Sequence, residues 1–148
     1  MEGPAMTYLL DTAVWVHLVA HPHLVPAWLL RRLKPEPVLG LASVSLLEVA
    51  ILHRLGRLGW RGTLAQFFDL ALAENVAVIE LTAPVAVETN SLPAEFHGDP
   101  FDRVVAATAR VLRLIPVTTD TLIRDHSGLQ SVLFYPFKPG RRPEHPPA

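Results

Sequence analysis

Short apolar stretches alternate along this chain with longer stretches whose apolar residues recur at helical spacing. The short stretches are rich in Val, Leu and Ile, and each ends at a polar residue or a turn. They predict buried strands at 7–10, 38–42, 76–81, 115–119 and 132–137, the last weakened by Pro136. The stretches between them predict helices at 12–19, 22–33, 45–58, 63–74, 82–90, 99–114 and 121–126. This alternation predicts an α/β domain with a mostly parallel sheet.

The predicted helix at 99–114 carries the most informative local pattern. Asp99 is a good helix cap, Pro100 suits the first helical position, and Asp102 lies on the same face of the first turn. The core side of this helix is predicted to consist of Phe101, Val105, Thr108 and Leu112. Taken alone, the stretch is better explained as a helix with an acidic cap than as a metal site.

Length and composition set the class of protein. The 148 residues suit one domain, and half of them are hydrophobic. No uninterrupted apolar run exceeds four residues, whereas a membrane span needs about 18, and the N-terminus lacks the pattern of a signal peptide. We expect an extension at 1–5, a domain at 6–138 and a Pro-rich, disordered tail at 139–148, with the cytoplasm as the default location.

Several classes of chemistry are disfavoured by what the chain lacks. The absence of cysteine excludes disulfides, a thiolate nucleophile and a cysteine zinc site. No His-Glu-x-x-His pair, nucleotide-binding glycine loop or nucleophile elbow occurs, so the seven histidines are expected at the surface or in packing. The net charge of −1 does not indicate a nucleic-acid binder, and clustered arginines are better explained as solvated helix faces.

Acidic residues occur where the carboxyl ends of parallel strands meet. Asp11 ends the first strand, and Asp120 ends a later one. Glu48 lies in the first turn after the second strand, at the spacing from Ser45 that predicts a capping box with Ser45 as the helix cap. Asp99 and Asp102 open the long helix, and all of these positions lie on one rim of such a sheet. A capping role worth about 1 kcal/mol explains any one of them but not the crowding of several carboxylates, which repel one another. Mg²⁺ or Mn²⁺ would relieve that repulsion and can support phosphodiester displacement.

The motifs that carry these acids resemble, in order, those of PIN-domain proteins, and most of all the VapC-type toxins of prokaryotic toxin–antitoxin pairs. They are LLDT at 9–12, SVSLLEVA at 43–50, HGDPFDR at 97–103 followed by AATA at 106–109, and VTTD at 117–120. The likeness covers about residues 7 to 137, and the DPFDR stretch with its trailing alanines is its most specific part.

The resemblance implies a three-layer α/β/α sandwich with a central, mostly parallel sheet. It also implies a Mg²⁺- or Mn²⁺-dependent endoribonuclease that cleaves RNA, forms a homodimer and is held inactive by a cognate antitoxin. By matching position, the expected catalytic and metal-binding residues are Asp11, Glu48, Asp102 and Asp120, with Asp99 an accessory acid. Thr118 matches a residue that supports the last acid, and Arg103 is expected to pair with an acid of the site rather than to contact phosphate.

Two other interpretations are open. The chain could be a catalytically inactive PIN-fold binding or regulatory module, although the presence of all four acids disfavours this. A phosphoacceptor receiver domain would need paired acids after the first strand and a lysine after a late strand, whereas Asp11 has no acidic neighbour and Lys138 lies near the tail. Apart from the resemblance, the apolar helices at 12–20 and 45–58 predict more hydrophobic surface than one small domain covers, hence a homodimer and an antitoxin groove.

Overall fold

The sheet consists of five short strands that all run parallel. A computed structural model describes residues 5–72, 75–96 and 99–137. The strands are β1 (Tyr8–Leu10), β2 (Leu39–Ala42), β3 (Val76–Ile79), β4 (Ile115–Thr118) and β5 (Leu133–Phe134), in the order β3-β2-β1-β4-β5. The central strand β1 pairs with both β2 and β4, so that Leu10 lies level with Leu41 and Val117.

Helices connect the strands. They are α1 (Thr12–Ala20), α2 (Ala27–Leu33), α3 (Val44–Arg54), α4 (Leu64–Ala71), α5 (Ala83–Glu88), α6 (Pro100–Leu112) and α7 (Thr121–His126). Two 3-10 turns, Pro22–Leu24 and Thr89–Ser91, precede α2 and follow α5. No helix in the described part of the chain has both the length and the apolar character that a bilayer crossing requires.

Helices cover both faces of the sheet. Tyr8 and Leu10 of β1 point into a core cluster with residues of α1, α2, α3 and α4. Leu9, between them, points to the other face, where it packs with residues of α6 and α7 such as Val105 and Ile123. This alternation follows from the two-residue repeat of a strand. The predicted three-layer α/β/α sandwich is confirmed.

Helix α1 is buried by its own domain. Trp15 is 1% exposed, packs edge-on against Phe67 and donates from Nε1 to the carbonyl of Ala71 at 3.2 Å. The large apolar side chains of this helix are buried or partly buried, so it leaves less apolar surface uncovered than the sequence predicts. By contrast, Leu47 of α3 is 58% exposed, and Leu55, just after its end, is 54% exposed.

Several local predictions differ from the structure. The helix predicted at 22–33 is interrupted because Val25, which precedes Pro26, is extended, as residues before proline prefer. Helix α3 begins before Ser45, so Ser45 is not its cap, and Ser43 caps it without a side-chain hydrogen bond. The last strand is only two residues long. Most of the predicted extension at 1–5, all of the tail at 139–148 and the end of the helix predicted at 63–74 lie outside the described residues.

Candidate active site

Four carboxylates from separate parts of the chain line one pocket at the rim of the sheet. Asp11 directly follows β1, Asp120 closely follows the neighbouring strand β4, and Glu48 and Asp102 come from α3 and the first turn of α6. The pocket has a volume of about 330 Å³, and its other lining residues are Thr12, Ala13, Thr119, Thr121 and Phe137. The structure thus brings together four of the acids that the sequence singled out.

Asp11 is the most buried of the four acids. Its Oδ1 accepts from the backbone N–H of Val14 at 2.8 Å, which caps α1. Its Oδ2 accepts from the Thr118 hydroxyl and from the backbone N–H of Thr119 at 3.3 Å. Burial raises the pKa of Asp11 to about 6, because the cost of desolvating the charged form exceeds what these hydrogen bonds return.

Asp102 and Glu48 are partly buried and lie within electrostatic reach of other acids. Burial, and then the negative charges of Asp99, Asp120, Glu48 and Asp11, raise the pKa of Asp102 well above its ordinary value. Burial also raises the pKa of Glu48, and the negative charges of Asp99 and Asp11 add to that shift. The repulsion expected from the sequence is therefore a property of this pocket.

Asp99 occupies a different position from the other acids. It is exposed, and its Oδ1 accepts from the backbone N–H of Asp102 at 2.9 Å, which caps α6. Asp99 does not line the pocket, although its charge contributes to the raised pKa values of Asp102 and Glu48. Its observed contact is thus that of a helix cap at the edge of the site.

Thr118 joins the first and last acids. Its side chain is fully buried, and its hydroxyl donates to Oδ2 of Asp11 while accepting from the backbone N–H of Asp120 at 2.9 Å. The sequence linked this residue to the last acid alone. The structure adds a direct hydrogen bond to Asp11 on the adjacent strand, so one hydroxyl holds the ends of β1 and β4 in register at the pocket.

Arg103 ties together two loops beside the site. Its guanidinium donates to the carbonyls of Phe96 and Thr89, both at 2.6 Å. These hydrogen bonds run to backbone carbonyls rather than to a carboxylate. They connect the start of α6 to the segment that follows α5.

We predict that Arg103→Met lowers stability by about 2 kcal/mol, since two carbonyls lose a charged donor. Urea unfolding measures this loss, with exposed Arg31→Met as the control. A stability within about 0.5 kcal/mol of wild type would contradict a role of these two hydrogen bonds in fastening the loops.

Sequence reasoning missed a cluster of side chains behind the pocket. His17 of α1 is 4% exposed, and its Nδ1 lies 2.6 Å from the hydroxyl of Tyr135, which follows β5. Burial, and then the nearby His21 and His23, lower the pKa of His17 to about 4. No motif connects residues 17 and 135, so only the fold reveals this pair.

The shifted pKa values of His17 and Asp11 predict opposite effects of low pH on the stability of the fold. Because the pKa of His17 is about 4 in the folded protein and 6.5 ordinarily, its contribution is present above pH 6.5 and is lost as pH falls through 4. Asp11, with its pKa raised to about 6, contributes stability below pH 3.8 that is lost as pH rises through 6. His17→Gln should therefore flatten the loss of stability between pH 6.5 and 4, by up to about 1.4 kcal/mol per pH unit. Urea unfolding at several pH values tests this, and an unchanged slope would contradict it.

The donor chemistry of the pocket fits a hard divalent cation. Its candidate ligands are carboxylate oxygens, with no His or Cys among the described lining residues, and such oxygens suit Mg²⁺ or Mn²⁺ rather than zinc. Over residues 5–72, 75–96 and 99–137, no three Asp, Glu or His side chains form a ready-made metal-binding group. Binding would therefore require the carboxylates to turn toward a common point.

Comparison with known proteins identifies a matching family model, a sequence relative and structures with the same fold. The PIN domain family model matches residues 8–129. Over 120 residues, 81% of this chain and 92% of the relative, the sequence is 31% identical to "Ribonuclease VapC22" of Mycobacterium tuberculosis (strain ATCC 25618 / H37Rv). Among solved structures, a DNA-bound VapBC from Salmonella typhimurium shares the fold with a TM-score of 0.65, 15% identity and coverage of 89% of this chain and 98% of that one. A toxin–antitoxin complex from Klebsiella pneumoniae gives a TM-score of 0.62 and 19% identity over 88% of this chain and 100% of that one.

Proposed function

This chain belongs to the PIN-domain family, and from that membership we propose that it is a Mg²⁺- or Mn²⁺-dependent endoribonuclease, the toxin of a toxin–antitoxin pair. One observation carries the proposal. Carboxylates that follow two neighbouring strands and carboxylates from two helices line a single pocket, although they are far apart in sequence. Carboxylates gathered in this way are the ligand type that hard cations need for phosphodiester hydrolysis.

In this proposal, Asp11, Glu48, Asp102 and Asp120 hold the cation. When bound, the cation lowers the pKa of water and stabilises negative charge on the attacking and leaving oxygens. Thr118 keeps the carboxylate of Asp11 aimed at the pocket. The reaction adds water across one phosphodiester, so that one P–O bond forms while another breaks and the leaving oxygen gains a proton.

The relatives bear on the substrate and the protein partner of this proposal. A relative named as a ribonuclease and neighbours described as toxin–antitoxin complexes support an RNA substrate and a cognate antitoxin partner. A homodimer and a cytoplasmic location are parts of the same proposal. Exposed apolar side chains on α2, at α3 and its C-terminal end, and on α4 supply candidate surface for protein partners, namely Trp28, Leu30, Leu47, Leu55 and Leu70.

The test is cleavage of end-labelled RNA by the purified chain. Mixed cellular RNA and synthetic single strands are incubated with Mg²⁺ or Mn²⁺, with chelator, and with metal restored after chelation. We expect cleavage only when metal is present, and its loss in Asp11→Asn. Folded wild-type protein that binds RNA or a protein partner but leaves every RNA intact would favour the inactive binding or regulatory module instead.

A further inference from the structure

One aromatic side chain belongs to the wall of the acidic pocket and has no part in the proposed metal chemistry. Among the described lining residues, Phe137 is the aromatic one, and the rest are carboxylates, threonines and one alanine. Phe137 is only partly buried. The residue therefore borders the same space as the carboxylates and is not closed off by packing.

The ring is supported from behind by buried side chains. The centroids of the Phe137 and His17 rings lie 4.4 Å apart, with the ring planes inclined at 71°. His17 is itself held by the Tyr135 hydroxyl 2.6 Å from its Nδ1, and both residues are almost completely buried. Packing between α1 and the chain after β5 thus holds the Phe137 ring against His17, while the residue stays partly exposed at the pocket wall.

This arrangement suits a flat apolar ligand beside the acids. A phosphodiester at the carboxylates carries a nucleoside on either side, and single-stranded RNA offers unpaired bases that stack on aromatic side chains. The pocket volume of about 330 Å³ lies at the small end of ligand pockets, which suits one nucleotide rather than a larger group. The other described lining residues offer no flat apolar surface.

We propose that Phe137 is a base-stacking subsite for a nucleotide next to the phosphodiester that is cleaved. The proposal rests on the proposed ribonuclease function and adds a recognition element to it. Stacking of this kind tolerates any base, because every base has a π-face. Phe137 would therefore fix the position of the strand and favour unpaired RNA, and it would not by itself select a sequence.

A second aromatic residue near the end of the chain provides a matched control. Phe134 of β5 is also partly buried, but the guanidinium of Arg124 lies over its ring at 4.4 Å from the centroid. Phe134 does not line the acidic pocket. Replacing Phe134 with leucine therefore removes an aromatic ring near β5 without changing the pocket lining, whereas replacing Phe137 with leucine removes the ring of a lining residue.

The experiment is a double-mutant cycle between the protein and the RNA. Once the cleavage site is mapped on a synthetic single strand, each nearby base is replaced in turn by an abasic nucleotide. The kcat/KM of each RNA is measured for wild type, Phe137→Leu, Phe137→Trp and Phe134→Leu, with melting temperatures to show that each variant is folded. Phe137→Met serves if the Leu variant is unfolded.

We expect one position beside the cleaved bond where loss of the base lowers kcat/KM of wild type by about 5- to 150-fold. That penalty should nearly vanish in Phe137→Leu and should persist in Phe137→Trp and Phe134→Leu. If removal of a base lowers kcat/KM equally for wild type and Phe137→Leu at every position, the proposed subsite is wrong, while metal-dependent cleavage is unaffected. A wild-type protein that neither binds nor cleaves RNA would overturn the subsite together with the proposed function.

Discussion

Asp102→Asn is expected to lower RNA cleavage by about 10²- to 10⁴-fold and, at the same time, to raise the melting temperature of the metal-free protein at pH 7.5. The first effect follows because a lost cation ligand removes several kcal/mol of transition-state stabilisation. The second follows because burial and neighbouring carboxylates disfavour the charged form of Asp102. Asparagine has nearly the same shape and no charge, so the folded state loses a repulsive interaction.

The gain in stability should depend on pH and on metal. A carboxylate whose pKa is raised by folding contributes stability at low pH that is lost as pH rises. The difference in melting temperature between Asp102→Asn and wild type should therefore be largest near neutral and alkaline pH and should disappear near pH 4. Added Mg²⁺ should stabilise wild type more than the variant.

Thermal unfolding with and without Mg²⁺ and an RNA cleavage assay measure both effects of Asp102→Asn. The matched control is Asp69→Asn, which removes an exposed carboxylate on α4. Asp69→Asn should leave both the melting temperature and the rate of RNA cleavage nearly unchanged. Cleavage by Asp102→Asn within tenfold of wild type, or a fall in its melting temperature at pH 7.5, would contradict the assignment of Asp102.

Thr118→Val is expected to reduce both cleavage and stability. The valine cannot donate to the Asp11 carboxylate or accept from the backbone N–H of Asp120, so a buried charge and a backbone donor both lose a partner. We expect a stability loss of about 2 kcal/mol or more, and about 2–4 °C of melting temperature per kcal/mol. Cleavage should fall by about 10- to 100-fold, the usual effect of removing a residue that orients a metal ligand.

The comparison of Thr118→Val with Asp102→Asn distinguishes a positioning residue from a direct ligand. Both variants should lose cleavage, but their melting temperatures should move in opposite directions. Thr118→Ser keeps the hydroxyl and should recover most of the activity, with a higher affinity for Mg²⁺ than Thr118→Val. If the valine variant cleaves like wild type, or serine fails to rescue it, the hydroxyl is not what positions Asp11.

The parts of the site that were predictable from sequence are those that follow from strand order and local pattern. Asp11 and Asp120 each come after an apolar stretch, and in a parallel sheet such positions meet at one rim. Asp99 followed by Pro100 predicted the start of α6, which the structure confirms. These predictions needed only the period of the apolar residues and the chemistry of helix caps.

The missed features depend on contacts between distant segments. Ser45 was predicted as a helix cap because Glu48 follows it at capping-box spacing, but it is buried inside α3 and accepts a hydrogen bond from Thr12 at 2.8 Å. Nothing in the local sequence separates these roles. The contact between His17 and Tyr135 spans 118 positions, and it exists because α1 and the chain after β5 pack beside each other. Such pairs become visible only once the sheet order is known.

Anomalous scattering from a crystal of the wild-type protein soaked in Mn²⁺ tests directly whether these acids bind a metal ion. We expect a peak in the pocket at about 2.1 Å from carboxylate oxygens of Asp11, Glu48, Asp102 or Asp120, at least two of which share the ion. The peak should be absent from Asp102→Asn crystals treated in the same way. A fully soaked wild-type crystal with no peak in this pocket, or with manganese bound only elsewhere, would contradict the claim that these acids form a metal-dependent active site.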